Sequence, residues 1–335
     1  MAEKLPSGHW RRKVTWSDAD GKKHSKSFTA PTKREVDNLV QEFIYSKKKN
    51  GSLLTVGEAV DKLIELNDSI YSPSTPRTYQ KIKRNWLTDI VDIKLEDLDD
   101  ITIQRWINNL SKKYSPKTVS NAYGLLNSCR AQFTPDIRYH ARLPKRAKKD
   151  IEIPQPSDIA LLVEVTKGTP IYICVLLGAH CGLRRSEMSA LTWKDIDLKK
   201  KEVKVSKAMV QGEDNLWYIK SPKSYAGYRT LNMSEDVYQY FKEADKSQPP
   251  VIYKPNQITK HFSEACKNLG MDYHPHLLRH YFCSVCCNIG IPEAVTVKLM
   301  GHQDSSMVHQ VYSHILNDFE TQARTKLVEF MNTKK

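Results

Sequence analysis

Two short runs of polar and basic residues interrupt the chain and limit how large any one hydrophobic core can be. Residues 47–52 and 144–150 contain no large apolar side chain that could anchor them in a core. Such runs are typical of exposed connections between domains, and a chain of 335 residues exceeds the usual size of a single core. We therefore expect three domains, at residues 1–50, 53–150 and 151–335.

The first segment predicts a small sheet packed on one helix. Apolar and charged residues alternate over residues 10–16, residues 18–21 supply a turn, and residues 24–28 form the returning strand. Thr32 and Glu35 have the spacing of a capping box, which starts a helix. Twelve lysines and arginines stand against six acidic residues in this segment. The excess favours a DNA-binding hairpin and helix over a small cap with a solvated face.

The second segment has the apolar spacing of helices almost throughout. The spacing predicts helices around residues 56–64, 79–87, 102–110 and 115–133, and a Ser-Pro pair marks the start of the last one. Basic side chains lie along these helices: Arg77, Lys81, Lys83, Arg84, Lys112, Lys113 and Lys117. We expect a bundle of four or five helices with one basic side.

The third segment mixes helices with short strands. A helix over residues 170–180 ends at a Cys-Gly turn, and strands are predicted at residues 202–208, 216–219 and 228–232. The last helix is expected at residues 318–331, and its apolar stripe packs either on its own domain or on a neighbouring copy. The segment is therefore expected to be mainly α with a small antiparallel sheet.

The charge and the cysteines narrow the class of protein. The net charge is +14, so the excess positive side chains repel one another. A common reason for such an excess is a polyanionic partner such as nucleic acid. Seven cysteines, an odd number, and a polar amino terminus without a signal peptide are typical of a protein of the reducing cytoplasm. The longest apolar run, residues 171–179, is too short to cross a bilayer, so we expect no membrane partner.

A Cys-x-x-Cys pattern at Cys283 and Cys286, followed by Cys287, is the nearest sign of a metal site. Without a second pair at ligand spacing it is a poor zinc signal, and on a helix these positions fall mainly on the buried side. Core packing is the better interpretation, and we expect no metal and no cofactor.

Five short motifs in the third segment carry candidate chemistry. Arg184 stands at the mouth of a helix, where its planar guanidinium can bind a phosphate, and Glu187 one turn later can hold that side chain. Taken alone, an arginine and a glutamate at this spacing are usually a surface pair. Lys223 lies between two predicted strands, although Lys207 and Lys220 are near enough to compete with it.

The other three motifs follow toward the carboxyl terminus. His276 and Arg279 share one face of a predicted helix, and His302 comes directly after a glycine in a tight turn. Tyr312 follows ten residues after that histidine. Each motif is short and unspecific alone, but all five in this order are highly specific.

In this order the residues resemble the catalytic set of the tyrosine recombinase family, the integrases of phages and mobile elements. The resemblance is strongest over about residues 155–315. It implies the tyrosine recombinase fold: a mainly α catalytic domain with a small antiparallel β-sheet, an all-α core-site DNA-binding domain, and a small α+β amino-terminal module that binds arm sites. Leu277 in place of an aspartate and Cys181 in place of a threonine depart from the common pattern, and neither is a catalytic group.

The resemblance also implies the roles of the site residues. Tyr312 attacks a phosphodiester and forms a 3′-phosphotyrosine link, which conserves the energy of the bond for rejoining. Arg184 and Arg279 clamp the non-bridging oxygens of the transition state without a metal. Glu187 supports the first of these arginines.

Three further roles follow from the same resemblance. His276 donates a hydrogen bond to the phosphate or accepts the tyrosine proton, and His302 holds another phosphate oxygen. Lys223 gives a proton to the leaving 5′ oxygen. Substitution of one such group typically lowers the rate by about 10²–10³-fold.

For the whole protein the resemblance implies a site-specific recombinase of the bacterial cytoplasm. Family members act as homotetramers on double-stranded attachment sites and integrate or excise a mobile element through a four-way Holliday junction, with accessory DNA-bending or directionality factors as further partners. Two alternatives stay open: a type IB topoisomerase, which uses the same phosphotyrosine chemistry, and a catalytically silent DNA-binding protein of the same fold. The complete set of motifs argues against lost activity, and the basic amino-terminal module favours site-specific work.

Overall fold

The computed structural model describes residues 2–17, 23–49, 54–145, 153–222 and 225–301, and five single residues further on: 305, 308, 309, 311 and 331. Contacts divide the chain into two compact units, Met1–Tyr71 with Pro76–Ala147, and Lys148–Lys335 with Ser72–Thr75. No helix among the described residues is long and apolar enough to span a membrane.

The first unit opens with a three-stranded antiparallel sheet and a helix: β1 (Glu3–Lys4), β2 (Trp10–Ser17), β3 (Lys23–Ala30) and α1 (Lys33–Lys49). Val36 and Val40 of α1 have no exposed surface, and the Phe43 ring lies 4.9 Å from that of Phe28 on β3. The helix therefore covers one face of the sheet.

The structure differs from the sequence prediction at the edges of this module. Helix α1 runs three residues into the expected linker at residues 47–52, because lysine is a good helix former. The two-residue strand β1 is too short to leave a pattern in the sequence. The predicted turn at residues 18–21 lies outside the described residues.

Four α-helices and a 3-10 turn follow in this part of the chain: α2 (Val56–Leu66), α3 (Ser74–Trp86), the turn Leu95–Asp97, α4 (Asp100–Ser111) and α5 (Pro116–Phe133). Thr55, Asp99 and Ser115 start α2, α4 and α5, since each side chain accepts a backbone N–H of the first turn. The apolar faces form one core, in which Trp106 is buried and its Nε1 donates to the carbonyl oxygen of Trp86 at 2.7 Å. The helices lie near the predicted ranges, and α3 begins five residues earlier than the spacing around residues 79–87 predicts.

The second unit is mainly helical with two small antiparallel sheets. Its described helices are α6 (Pro156–Thr166), α7 (Tyr172–Cys181), α8 (Arg185–Met188), α9 (Glu235–Glu243), α10 (Pro255–Asn268), α11 (Pro275–Asn288) and α12 (Glu293–Met300). Its described strands are β4 (Ile196–Asp197), β5 (Glu202–Val205), β6 (Ala208–Gln211), β7 (Trp217–Lys220) and β8 (Arg229–Asn232). One sheet has the order β4-β5-β8, and β6 and β7 form a separate hairpin. Apart from residue 331, the helix expected at residues 318–331 lies outside the described residues.

The prediction of one strand over residues 202–208 is wrong. Strand β5 ends at Val205, β6 begins at Ala208, and the two belong to different sheets. Between them Lys207 turns to Asp195, with 2.7 Å between Nζ and Oδ2, and donates to the Thr192 hydroxyl at 3.0 Å. This ion pair holds the chain at the break between the sheets, which alternation of residue types along the sequence does not reveal.

Helix α7 lies at the centre of the second unit's core. It is buried along almost its whole length, as expected for a helix that is apolar on all sides. It packs so closely on α11 that a Cβ added to Gly178 would lie 2.7 Å from Cδ1 of Leu278. This packing brings the carboxyl end of α7 beside α11, where the candidate site begins.

Candidate active site

A glycine turn at the end of α7 starts the site. Gly182 caps the helix with φ 61°, a left-handed conformation that glycine adopts without strain. A Cβ at this position would also lie 2.6 Å from Cδ1 of Phe282 on α11. Conformation and space both select glycine, and the turn directs Arg184 to the start of α8.

Arg184 and Glu187 form a closed pair at the start of α8. Arg184 Nη1 donates to Glu187 Oε1 at 2.6 Å, and the Arg184 backbone N–H donates to Oε2 at 2.8 Å. Arg184 Nη2 donates to the carbonyl oxygen of Gly301 at 3.1 Å. The Arg184 side chain is 32% exposed, whereas that of Glu187 is 8% exposed. The guanidinium is therefore held on its buried side and still reaches solvent.

A second arginine, Arg229 at the start of β8, binds the same carboxylate. Its Nη2 donates to Glu187 Oε2 at 2.8 Å and its Nη1 to Oε1 at 3.2 Å, the two-pronged geometry of strong arginine–carboxylate pairs. The five motifs do not mark this residue. A signal exists, however: Arg229 and Leu231 lie on the same face of a strand, and a charge on the buried face of a strand needs a partner.

Arg279 on α11 is fully buried, with 0% of its surface exposed. Its Nη1 and Nη2 donate to the carbonyl oxygens of Gly182 and Met300, and its Nε has no hydrogen-bond partner among the described residues. Since Arg184 binds Gly301, two arginines hold the carboxyl end of α12. That end leads into His302 along the chain.

The cluster combines three guanidinium groups with one carboxylate. Burial raises the pKa of Glu187, but the hydrogen bond and charge of Arg229, followed by the charges of Arg184 and Arg279, lower it overall to about 2. Glu187 is therefore ionised at any physiological pH. Burial, and next the charge of Arg184, lower the pKa of Arg279, which means that the excess positive charge is destabilised where it lies. A bound anion would remove that destabilisation.

His276 opens on the same pocket as Arg184. The pocket has a volume of about 380 Å³ and is lined by Leu183, Arg184, Arg185, Ser186, Thr259, His274, Pro275 and His276. The rings of His276 and His280 meet edge to face, with centroids 5.1 Å apart. Partial burial, and then the charges of His280, Arg279 and Arg184, lower the pKa of His276 to about 4. This imidazole is neutral near pH 7 and can accept a proton.

Three predicted site residues lie outside the described residues: Lys223, His302 and Tyr312. Two residues close before the tyrosine, Val308 and Val311, are helical and buried, and they pack with Cys283 of α11 and Met300 of α12. These two valines therefore lie against the helix that carries Arg279.

The two lysines that compete with Lys223 are both held by other groups. Lys207 pairs with Asp195, as described above, and Lys220 Nζ donates to Ser72 Oγ at 2.7 Å. Neither amine is free to approach a substrate without breaking these contacts.

Cys283 and Cys286 of α11 are packing residues. Cys283 and Cys286 are buried, and burial raises the pKa of Cys283 to about 12 and that of Cys286 to about 11. Such thiols stay protonated, unlike the thiolates that bind metals. In the described part of the chain, no group of three histidine, cysteine or acidic side chains is arranged to hold a metal ion.

Known proteins share both sequence and fold with this chain. Residues 156–318 match the phage integrase family. The tyrosine recombinase XerC-like protein of Caldanaerobacter subterraneus is 23% identical over 94% of this chain and 93% of its own length. The transposase from transposon Tn916 of Enterococcus faecalis is 28% identical over 44% of this chain and 43% of its own length.

Two solved structures show the likeness of fold. The Tn1549 transposon integrase in complex with transposon right end DNA has a TM-score of 0.66 at 21% identity and covers 82% of this chain and 100% of that one. A lambda integrase tetramer bound to a Holliday junction has a TM-score of 0.58 at 14% identity and covers 92% of this chain and 94% of that one. The mainly helical fold with small sheets is thus shared with these two integrases. Residues 156–318 therefore carry the sequence pattern of the phage integrases, and the resemblance to tyrosine recombinases expected from the motifs is confirmed.

Proposed function

We propose that this chain is an integrase, a site-specific recombinase that cuts and rejoins double-stranded DNA at the attachment sites of a mobile element. The observation that carries the proposal is the arginine cluster around one ionised Glu187, beside the pocket onto which His276 opens. Three cations and one anion leave this cluster with a net charge of +2. A phosphodiester gains negative charge as its transition state forms, and fixed cations at that place stabilise it.

In the cleavage step Tyr312 is the nucleophile. Its hydroxyl oxygen forms a bond to phosphorus while its proton passes to neutral His276, and the bond between phosphorus and the 5′ oxygen breaks. Lys223 gives the leaving oxygen a proton. Attack by the 5′ hydroxyl of another strand reverses these steps, so that strands are exchanged through a four-way junction without an external source of energy.

In this proposal Arg184 holds the phosphate before the reaction begins. Each Nη of an arginine carries two N–H groups, and the contacts with Glu187 and Gly301 use one on each nitrogen. Each Nη therefore keeps one N–H group for phosphate oxygens, and His302 holds another oxygen. Arg279 has no exposed surface and acts on the phosphate through its charge.

The remaining domains supply the binding of DNA in this proposal. Residues 1–50 bind arm sites, residues 53–150 bind core sites, and residues 151–335 carry out catalysis. The active species is a homotetramer on two duplexes in the bacterial cytoplasm, and accessory DNA-bending or directionality factors are further partners.

The sheet of residues 1–50 offers a face for this task. Arg11 and Lys13 are exposed on β2 and point away from the side that faces α1. On that other side, Arg12 Nη1 pairs with Asp37 of α1 at 2.7 Å. A basic surface built on strands fits the groove of a duplex.

The test uses a DNA substrate nicked next to the cleavage point, made from the junction between the element and its host sequence. Wild-type protein and Tyr312→Phe are incubated with it without divalent metal, and the products are run on a denaturing gel. We expect a slowly migrating, protease-sensitive protein–DNA band from the wild type alone. Absence of this band from both proteins, together with clear binding in a gel-shift assay, would overturn the proposal in favour of a silent DNA-binding protein. Relaxation of a plasmid without attachment sites would instead indicate a topoisomerase.

A further inference from the structure

Glu187 is shared by two arginines that have different surroundings. Arg184 reaches solvent with 32% of its side chain, whereas only 5% of the Arg229 side chain is exposed. Both arginines bind both oxygens of the Glu187 carboxylate: Oε1 receives Arg184 Nη1 at 2.6 Å and Arg229 Nη1 at 3.2 Å. Oε2 receives the Arg184 backbone N–H and Arg229 Nη2, both at 2.8 Å.

Arg229 is more deeply buried than Arg184 and lies against the turn that ends α12. A Cβ added to Gly301 would lie 2.7 Å from Arg229 Nη1, so the guanidinium is packed directly against this turn. The carbonyl oxygen of the same Gly301 accepts a hydrogen bond from Arg184. From this position Arg229 contacts the groups that hold Arg184 and does not reach the pocket that Arg184 and His276 line.

A carboxylate with a single partner would compete with a phosphate for that partner. If Arg229 were absent, Arg184 would be the arginine left hydrogen-bonded to Glu187 and would take more of its negative charge, although the substrate needs this arginine. With Arg229 in place the carboxylate is already neutralised by a buried cation, and the site retains a net charge of +2 for an anion. A charge inside a protein interacts strongly with its neighbours because the surroundings screen it weakly.

We propose that Arg229 is a positioning residue for strand cleavage. It neutralises the Glu187 carboxylate from the buried side, so that Glu187 orients Arg184 while the positive charge of Arg184 stays available to the scissile phosphate. This inference rests on the proposed function. It assigns a role in the reaction to a residue that does not line the pocket shared by Arg184 and His276. It also predicts that Glu187 harms the reaction when its second partner is lost.

The charge balance can be separated from simple packing by a set of variants. Arg229→Met removes the charge and keeps much of the volume, and Arg229→Lys keeps the charge but loses the two-pronged geometry. The double variant Glu187→Met with Arg229→Met replaces the buried pair by apolar side chains, a change that proteins often tolerate, and returns the site to a net charge of +2. Lys201→Met is the matched control, because Lys201 forms an exposed ion pair with Glu235 at 2.8 Å in the same unit.

The measured quantity is the rate of covalent complex formation on the nicked substrate, with DNA binding followed by gel shift and folding by circular dichroism. Groups that orient the ligands of a metal site contribute about 10- to 100-fold to activity, and we take the same range for a residue that orients Arg184. We expect Arg229→Met to lower the rate by about that factor while DNA binding stays nearly unchanged. The rate of Arg229→Lys should lie between those of the wild type and Arg229→Met, and Lys201→Met should match the wild type. The double variant should be faster than Arg229→Met alone.

A second substrate tests whether the defect concerns the charge of the phosphate. A methylphosphonate at the scissile position lacks one negative oxygen, so its reaction depends less on cations around it. The ratio of wild-type to Arg229→Met rates should therefore shrink on this substrate. A double variant no faster than Arg229→Met, together with an unchanged ratio on the methylphosphonate, would overturn the inference and leave Arg229 a packing residue. A wild-type protein that forms no covalent complex would overturn the proposed function instead.

Discussion

One buried carboxylate joins the parts of the arginine cluster, so the loss of Glu187 should reduce the stability of the second unit. Glu187→Ala leaves the buried guanidinium of Arg229 without its partner, and removal of one member of a buried ion pair typically costs about 3 to 5 kcal/mol. We expect the free energy of unfolding, measured in urea, to fall by about this amount. Glu235→Ala removes a carboxylate from an exposed pair with Lys201 and should change little. Equal effects of the two substitutions would contradict the central place of Glu187.

His280 should make the stability of the protein depend on pH. The residue is 8% exposed and its Nδ1 has no hydrogen-bond partner among the described residues. Burial, and then the charges of His274 and Arg279, lower its pKa from 6.5 to about 4. The folded state thus favours the neutral ring, so its stability is complete above pH 6.5 and is lost as the pH falls toward 4.

The variant His280→Phe isolates this effect because phenylalanine keeps the ring and removes the titration. Between pH 7.5 and pH 5 the histidine should lower the free energy of unfolding by about 2 kcal/mol, given the two pKa values. The loss in His280→Phe should be smaller by that amount when both proteins are unfolded in urea at each pH. If both proteins lose the same stability, other groups cause the dependence.

At the level of secondary structure, elements with local signals could be predicted from the sequence. Helix α5 starts at Ser115 and a proline, and α7 ends at Gly182 in the left-handed conformation. Both signals lie within a few residues of the boundary that they mark. The spacing within the first motif likewise predicts that Glu187, one helical turn after Arg184, holds the arginine side chain. The two side chains are in contact in the structure.

Elements that depend on a distant partner could not be predicted in this way. The break between β5 and β6 accompanies the pairing of Lys207 with Asp195, which lies on the 3-10 turn before β4. Arg229 binds a carboxylate 42 residues earlier in the chain, so the spacing of the motifs gives no hint of it. The roles assigned to Lys223, His302 and Tyr312 stay predictions.

The sheet of residues 1–50 gives a prediction at the scale of one strand. Arg11 and Arg12 are neighbours of the same type on β2, but Arg11 is exposed and Arg12 pairs with Asp37. Loss of one phosphate contact lowers the slope of log affinity against log salt concentration by about 1. Arg11→Ser should therefore reduce the salt dependence of binding to arm-site DNA, and Arg12→Ser should leave it nearly unchanged. Equal slopes for the two variants would mean that this face of the sheet does not lie on DNA.

At the scale of the whole molecule, the buried apolar side chains form separate cores. The core of the helices α2–α5 is built from residues of the range 54–141, and that of the second unit centres on α7 and the sheet β4-β5-β8. Val36 and Val40 are buried where α1 covers its own sheet. Removal of residues 1–50 therefore removes the small sheet together with helix α1, which covers it. The two larger cores should stay intact.

Deletion of residues 1–50 should thus separate the two kinds of DNA binding that we propose. The deletion removes +6 of the net charge of +14, so binding to arm sites should be lost, and overall binding should become less sensitive to salt because fewer counterions are released. Cleavage of a nicked core site should persist, since the arginine cluster and its pocket lie wholly in the second unit. Gel shifts on separate arm-site and core-site duplexes, and covalent complex formation on the core site, measure the two effects. A truncated protein that melts like the full chain but no longer cleaves the core site would show that residues 1–50 take part in catalysis, and the proposed division of labour would be wrong.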